Sequence, residues 1–119
     1  MTEAGRPRPR QLAELSDAND FLDEVRLRPG MWVRGSSLQH LDSMLTGYRV
    51  AIGIHRVEED FDFWNPGTQG TFAEWLWQRN GCSSALGWAV EIEREAETSG
   101  TPAIELFFSL LDQFRAERD

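Results

Sequence analysis

The sequence has few of the residues that build cross-linked or metal-dependent sites. Its 119 residues include one cysteine, two histidines and no lysine, so all twelve basic residues are arginine. The lone Cys82 excludes an internal disulfide and a multi-cysteine metal site. No apolar run approaches the roughly 20 residues of a membrane span, and the first residues lack the apolar stretch of a signal peptide. We therefore expect a cytoplasmic protein that does not enter or bind a membrane.

The sequence gives little support for catalysis or metal binding. His40 and His55 are expected on one helix, about 22 Å apart at 1.5 Å per residue, so they cannot share an ion. The serines stand where helix caps are expected, and the many carboxylates show no sign of the special surroundings that acid–base catalysis requires. We predict no catalytic residue, no metal and no cofactor, and we rank an enzyme or small-ligand binder below a binding protein.

Apolar spacing and turn residues predict helices along most of the chain. Residues 1–11, rich in proline and arginine, are predicted to be a flexible arm, and residues 12–119 to be a single helical domain. The expected fold is an all-α compact bundle of about five helices with irregular or orthogonal packing, and with one short extended piece or turn near Trp32. A strand is the alternative for Val90–Glu97, where apolar and acidic residues alternate. The helices are predicted to begin at Ser16 or Asp17, Ser36 or Ser37, Thr71, Ser83 or Ser84, and Pro102.

The longest predicted helix has apolar residues on more than one side. One stripe repeats at spacings of three and four residues, and a second group lies away from that stripe. We therefore predict that this helix is central and that its second half is packed on several sides, with Gly47 and Gly53 allowing close approach of neighbours. The stripe comprises Leu38, Leu41, Leu45, Tyr48, Ile52 and His55, and the second group Met44, Val50, Ala51, Ile54 and Val57.

Negative charge is concentrated in one part of the chain. Residues Glu58 to Glu105 contain ten acids and two arginines, a net charge of −8, whereas ten acids and ten arginines balance elsewhere. This asymmetry disfavours binding to nucleic acid or to an anionic membrane. It favours a cationic protein partner, with solubility alone as the alternative.

Acidic and aromatic residues occur together in this part of the sequence. An exposed tryptophan supplies contact area to a partner, and carboxylates steer a basic partner during encounter. The alternative is that Phe61, Phe63 and Trp64 fold back on the core and that the acids on the fourth helix form a solvated face. The predicted partner-binding residues are Glu58, Glu59, Asp60, Asp62, Trp64, Trp77, Glu91 and Glu95.

The stretch RLRPGMWVRGSSLQHL, residues 26–41, contains an Arg-Pro-Gly-Met turn that also occurs in gyrase-type ATPases. Those enzymes need an Asp-x-Gly-x-Gly element for adenine and a glycine-rich lid for the phosphates. The sequence has neither element, so a nucleotide-binding role is rejected.

The same turn, with Ser37-Leu38 and Gly47-Tyr48 after it, resembles a group of small bacterial proteins. Their pattern is Arg-Pro-Gly-Met-Tyr, then Ser-Leu, then Gly-Tyr, followed by a Trp-rich middle and an aromatic C-terminal helix. Trp32 stands where that pattern has Tyr, and Arg34 where Gly is common. Some of these proteins look like immunity proteins that neutralise a toxin domain, often a nuclease, so the resemblance implies a role of that kind.

Charge and resemblance together predict a non-enzymatic protein-binding module. Its expected partner is a basic toxin or nuclease domain that meets an acidic and aromatic surface. The alternative is a small structural or regulatory helical protein that acts as a homo-oligomer through the long helix or Trp77.

Overall fold

A computed structural model describes residues 10–64 and 70–118, which form a helical bundle. Five of its six α-helices are nine residues or longer, so the predicted all-α class is confirmed. Residues 1–9, which make up most of the predicted arm, lie outside the described residues. No helix in the described ranges is both long and apolar enough to cross a bilayer. The helices are α1 (Ala18–Leu27), α2 (Pro29–Trp32), α3 (Leu38–Ile54), α4 (Phe72–Asn80), α5 (Trp88–Ser99) and α6 (Ala103–Arg118), with 3-10 turns at Leu12–Glu14 and Arg34–Ser36.

Several helix ends follow from local sequence, as predicted. The side chains of Asp17 and Ser37 each accept a hydrogen bond from the backbone N–H three residues later, which caps α1 and α3. Thr71 and Glu74 form a reciprocal capping box at the start of α4. Gly81 ends α4 in the left-handed conformation, with φ of 81°.

The start of α5 differs from the prediction. The helix begins at Trp88 and not at Ser83 or Ser84. The Ser84 hydroxyl donates to the Glu91 carboxylate at 2.7 Å and accepts a backbone N–H two residues later, so it stabilises a turn. Gly87, with φ of 93°, separates that turn from the helix because this conformation does not continue an α-helix. Val90–Glu97 lies within α5, so the strand alternative is wrong.

The segment near Trp32 is helical, whereas an extended piece or turn was the expectation. The Val33 N–H donates to the Pro29 carbonyl at 2.9 Å, which closes the single turn of α2. Proline is compatible with this position because its fixed φ suits the first turn of a helix. Only Val33, at the end of the turn, has extended backbone angles.

α3, the helix predicted to be central, contacts α5, α6 and the turn Arg34–Ser36, and α6 contributes the larger number of buried core residues. α6 contacts α3, α4 and α5. Phe107 and Phe114 of α6 are fully buried and lie against Phe72 of α4 with ring centroids 5.8 and 5.6 Å apart. Aromatic contacts of this kind combine a large buried area with favourable edge-to-face geometry.

The second half of α3 is exposed, which corrects the prediction that it is packed on several sides. Met44, Val50, Ile54 and Val57 are 39%, 55%, 70% and 53% exposed, respectively. His55, which its spacing placed on the apolar stripe, is exposed at the end of the helix. Among the described residues, no atom from outside the local helix backbone lies within 4 Å of a Cβ built on Gly47 or Gly53, so no described neighbour approaches closely there. The core covers one side of α3 and, within the described residues, nothing covers the other.

Candidate functional site

The end of α3 is shaped by a C-terminal capping motif. The Val57 N–H donates to the Ile52 carbonyl at 2.9 Å, and the Arg56 N–H donates to the Gly53 carbonyl at 3.2 Å, the two bonds of a Schellman motif. The motif requires a left-handed residue, and that residue here is Arg56, with φ of 57°, where glycine is usual. The chain therefore turns sharply after α3 and brings residues 58–64 back beside the helix.

Glu59 fixes the returning chain to two helices. Its carboxylate accepts the backbone N–H of Ala18 at 2.8 Å, at the start of α1, and the hydroxyl of Tyr48 in α3. Burial, and then the hydrogen bond to Glu59, raise the pKa of Tyr48 to about 12. Tyr48 therefore keeps its proton at neutral pH and remains a donor to Glu59. The carboxylate also lies at the N-terminal end of α1, where it takes up a backbone N–H that the helix itself leaves without a partner.

Trp64 stands beside this anchor. Its ring stacks on Tyr48 with centroids 6.2 Å apart and meets the buried Phe61 edge-on at 4.8 Å. Its indole N–H donates to the Glu59 carbonyl at 3.4 Å. The guanidinium of Arg49 lies 5.8 Å from the centroid of the Trp64 ring, within the range of a cation–π contact. Trp64 is thus half-buried, and a cation already lies over its ring.

These elements surround an acidic-aromatic pocket with a volume of about 470 Å³. Glu58 and Asp60 are exposed at this pocket, and neither side chain makes an ion pair within residues 10–64 and 70–118. Of the described residues that line it, only Arg49 is basic. The pocket joins an indole, apolar walls and carboxylates, which is a suitable environment for a cationic side chain. The lining residues are Arg49, Ile52, Gly53, Val57, Glu58, Glu59, Asp60 and Trp64.

The pocket brings together four of the eight predicted partner-binding residues, Glu58, Glu59, Asp60 and Trp64. Sequence reasoning missed Arg49 and Tyr48 as parts of this site. Tyr48 could not be linked to Glu59 from sequence, because that contact depends on how the turn after α3 closes. Arg49 could have been noticed in the sequence, because apart from His55 it is the only acidic or basic residue between Asp42 and Arg56.

The other four predicted residues lie elsewhere, and three of them have partners within the fold. The half-buried Asp62 carboxylate pairs with Arg115 of α6 at 2.8 Å. Glu95 binds both terminal nitrogens of Arg79, at 3.0 and 2.9 Å, and this arginine lowers the pKa of the carboxyl. The remaining two are Glu91, which accepts the Ser84 hydroxyl and pairs with Arg94, and Trp77, which is half-buried against the core.

Outside the pocket, the cysteine and histidine side chains that could act in catalysis or metal binding are not grouped together. Cys82 is exposed in the turn after α4, and His40 and His55 are exposed near opposite ends of α3. Among the described residues, no three His, Cys, Asp or Glu side chains converge as a metal site. Comparison with protein-family models, curated proteins and solved structures gives no significant match for this chain.

Proposed function

We propose that this chain is a non-enzymatic protein-binding module that holds an arginine or lysine of a basic partner in the acidic-aromatic pocket. The observation that carries the proposal is the placement of Glu58 and Asp60, exposed and without an ion pair in the described residues, beside the half-buried ring of Trp64. The partner fits the toxin or nuclease class, because such a domain presents a basic surface to its anionic substrate.

Arg49 supports this assignment from within the chain. Its guanidinium occupies one position over the Trp64 ring, which shows the distance at which a cation lies against the indole. A partner cation placed between that ring and the two carboxylates would gain charge-assisted hydrogen bonds to Glu58 and Asp60, neither of which pairs with Arg49 in the described residues. Inhibition would follow if this cation belongs to the partner's substrate-binding surface, because the carboxylates would then stand in place of substrate phosphates.

The test uses two doubly substituted variants with the same change in net charge. Glu58→Gln with Asp60→Asn neutralises the pocket, and Glu97→Gln with Glu105→Gln neutralises two exposed acids on α5 and α6. Each immobilised variant and the native chain are incubated with extract of the source cell, and the retained proteins are identified by mass spectrometry. We expect one basic protein that the native chain and the α5–α6 variant retain, that the pocket variant loses, and that about 0.5 M salt releases.

Two results would contradict the proposal. If both variants lose the same proteins to the same extent, binding follows net charge and the pocket has no special part. If the pocket variant retains every protein that the native chain retains, the pocket is not a binding surface. Where the expected pattern is obtained, isothermal titration calorimetry with the purified partner measures the affinity of each variant. We expect the pocket variant to bind about 10- to 100-fold more weakly than the native chain.

A further inference from the structure

Glu24 is a buried carboxylate that takes no part in the acidic-aromatic pocket. It lies on α1, it is 2% exposed, and among the described residues it is the one charged residue that is buried. Transfer of a carboxylate out of water is costly unless cations and hydrogen bonds compensate its charge. Two arginines do so here, since the Arg28 Nη1 lies 3.5 Å from one carboxylate oxygen and the Arg10 Nε donates to the other at 2.8 Å.

Each guanidinium nitrogen of Arg10 faces an acceptor on α1. Nε donates to Glu24, Nη2 donates to the main-chain carbonyl of Asp20 at 3.0 Å, and Nη1 lies 3.9 Å from the Asp20 carboxylate. The backbone N–H of Arg10 also donates to Glu24, at 3.3 Å. The hydrogen bond from the Arg10 side chain lowers the pKa of the Glu24 carboxyl, although burial acts in the opposite direction. Glu24 therefore stays charged at neutral pH and remains an acceptor.

These acceptors suit a guanidinium group better than an ammonium group. A guanidinium carries its donors on three nitrogens in one plane, whereas the donors of an ammonium radiate from a single nitrogen. The Glu24 carboxylate and the Asp20 carbonyl each bind a different nitrogen of Arg10, and one ammonium nitrogen does not reproduce that division. The Glu24 carboxylate, with the carbonyl and carboxylate of Asp20, is called the Glu24 site below.

Arg10 reaches the Glu24 site from a segment that lies on the surface. Residues 11–14 are exposed, and the 3-10 turn Leu12–Glu14 contributes no buried residue. The backbone N–H of Gln11 donates to the Glu14 carboxylate, so this bond stays within the segment. The site thus belongs to α1, and its occupant is carried by an exposed piece of chain that comes before the helix.

We propose that the Glu24 site is an arginine-binding site that Arg10 fills from within the chain and that accepts a guanidinium group of another molecule in place of Arg10. The buried carboxylate needs a cation, and the exposed segment that supplies it is not part of the core. Because Arg10 is tethered, its effective concentration at the site is of millimolar order or higher. A partner's arginine therefore displaces it only where neighbouring contacts add to the affinity. No residue of the Glu24 site lines the acidic-aromatic pocket, so the inference does not depend on the proposed function.

Chemical complementation of Arg10→Ala tests the site in the full chain. The substitution removes the guanidinium group and leaves its acceptors, and n-propylguanidinium chloride is added to replace the lost group. At about 20 mM this salt should raise the folding equilibrium constant of Arg10→Ala about three- to tenfold, as a dissociation constant of about 2–10 mM gives. The same concentration of n-butylammonium chloride should leave that constant nearly unchanged. Urea denaturation followed by circular dichroism measures both effects.

Arg34→Ala is the matched control variant. Arg34 is exposed and forms no ion pair within residues 10–64 and 70–118, so its loss changes the net charge equally and leaves Arg10 in its site. Propylguanidinium should have only the general effect of a salt on this variant, because the tethered Arg10 excludes it. Arg10→Lys keeps the charge at residue 10, and we expect it to unfold at a lower urea concentration than the native chain.

Three results would overturn the proposal. Equal stabilisation of Arg10→Ala and Arg34→Ala by propylguanidinium would show that the salt does not act at the Glu24 site. Equal effects of the two salts on Arg10→Ala would show that the site does not select a guanidinium group. Native stability of Arg10→Lys would show that positive charge alone is enough at this position.

Discussion

Removing the carboxylate of Glu59 should destabilise the whole fold, because Glu59 joins three separate segments. In Glu59→Ala the Ala18 N–H and the Tyr48 hydroxyl both lose their acceptor, and Ala18 is only 1% exposed. Hydrogen bonds to charged groups contribute about 1.5–3 kcal/mol each when buried, and Glu59 is partly exposed, so we use about 1–2 kcal/mol for each bond. The expected loss of unfolding free energy is about 2–4 kcal/mol.

A double-mutant cycle separates the two bonds. Tyr48→Phe removes only the hydroxyl and should cost about 1–2 kcal/mol, whereas the double variant should cost little more than Glu59→Ala alone. The coupling energy between the two positions is then about 1–2 kcal/mol. Urea denaturation followed by circular dichroism gives each value, provided that the slope with urea stays constant across the variants.

Glu58→Ala is the control for this cycle. Glu58 is the neighbouring acid, exposed and without an ion pair in the described residues, so its loss should change stability by less than about 0.5 kcal/mol. A loss within that same limit for Glu59→Ala would show that its carboxylate does not hold these segments together. Costs of the two single variants that simply add would show that the hydroxyl and the carboxylate do not share a bond.

Three further results are expected. Tyr48 is the only tyrosine, so the near-ultraviolet absorbance of tyrosinate should report its titration, at about pH 12. Glu59→Gln should lower the pKa of Tyr48 without bringing it fully back to 10, because burial is the larger cause of the shift. Since the folded pKa is raised, Tyr48 stabilises the fold below pH 10 and this contribution should fall as pH rises toward 12; an unchanged pKa in the variant would refute the assignment. Arg56→Gly should raise the unfolding free energy by about 0.5–1 kcal/mol, because glycine adopts the left-handed conformation without strain, whereas Arg56→Ala should give no gain in the same urea assay. Phe72→Ala should cost about 3–5 kcal/mol in thermal unfolding, because the ring is fully buried among other aromatic side chains; a cost under 1 kcal/mol would mean that the core is assigned wrongly.

The features that sequence predicted best are those that depend on neighbouring residues. Asp17, Ser37 and the Thr71 capping box were predictable because a cap bonds within three residues of itself. The start of α5 was not, because Ser84 has the chemistry of a cap and uses it for Glu91 instead. A local sequence pattern predicts the type of an element more reliably than it predicts the residue at which the element begins.

The candidate site was only partly predictable, because charge in a sequence does not reveal how that charge is used. Asp62 and Glu95 belong to the same acid-rich segment as Glu58, yet each pairs with an arginine within the fold. Arg115, which pairs with Asp62, follows it by 53 residues, and such pairings depend on tertiary packing. The prediction that α3 is packed on several sides was wrong for a related reason. An apolar pattern shows which positions are apolar, but it does not show whether another part of the same chain covers them.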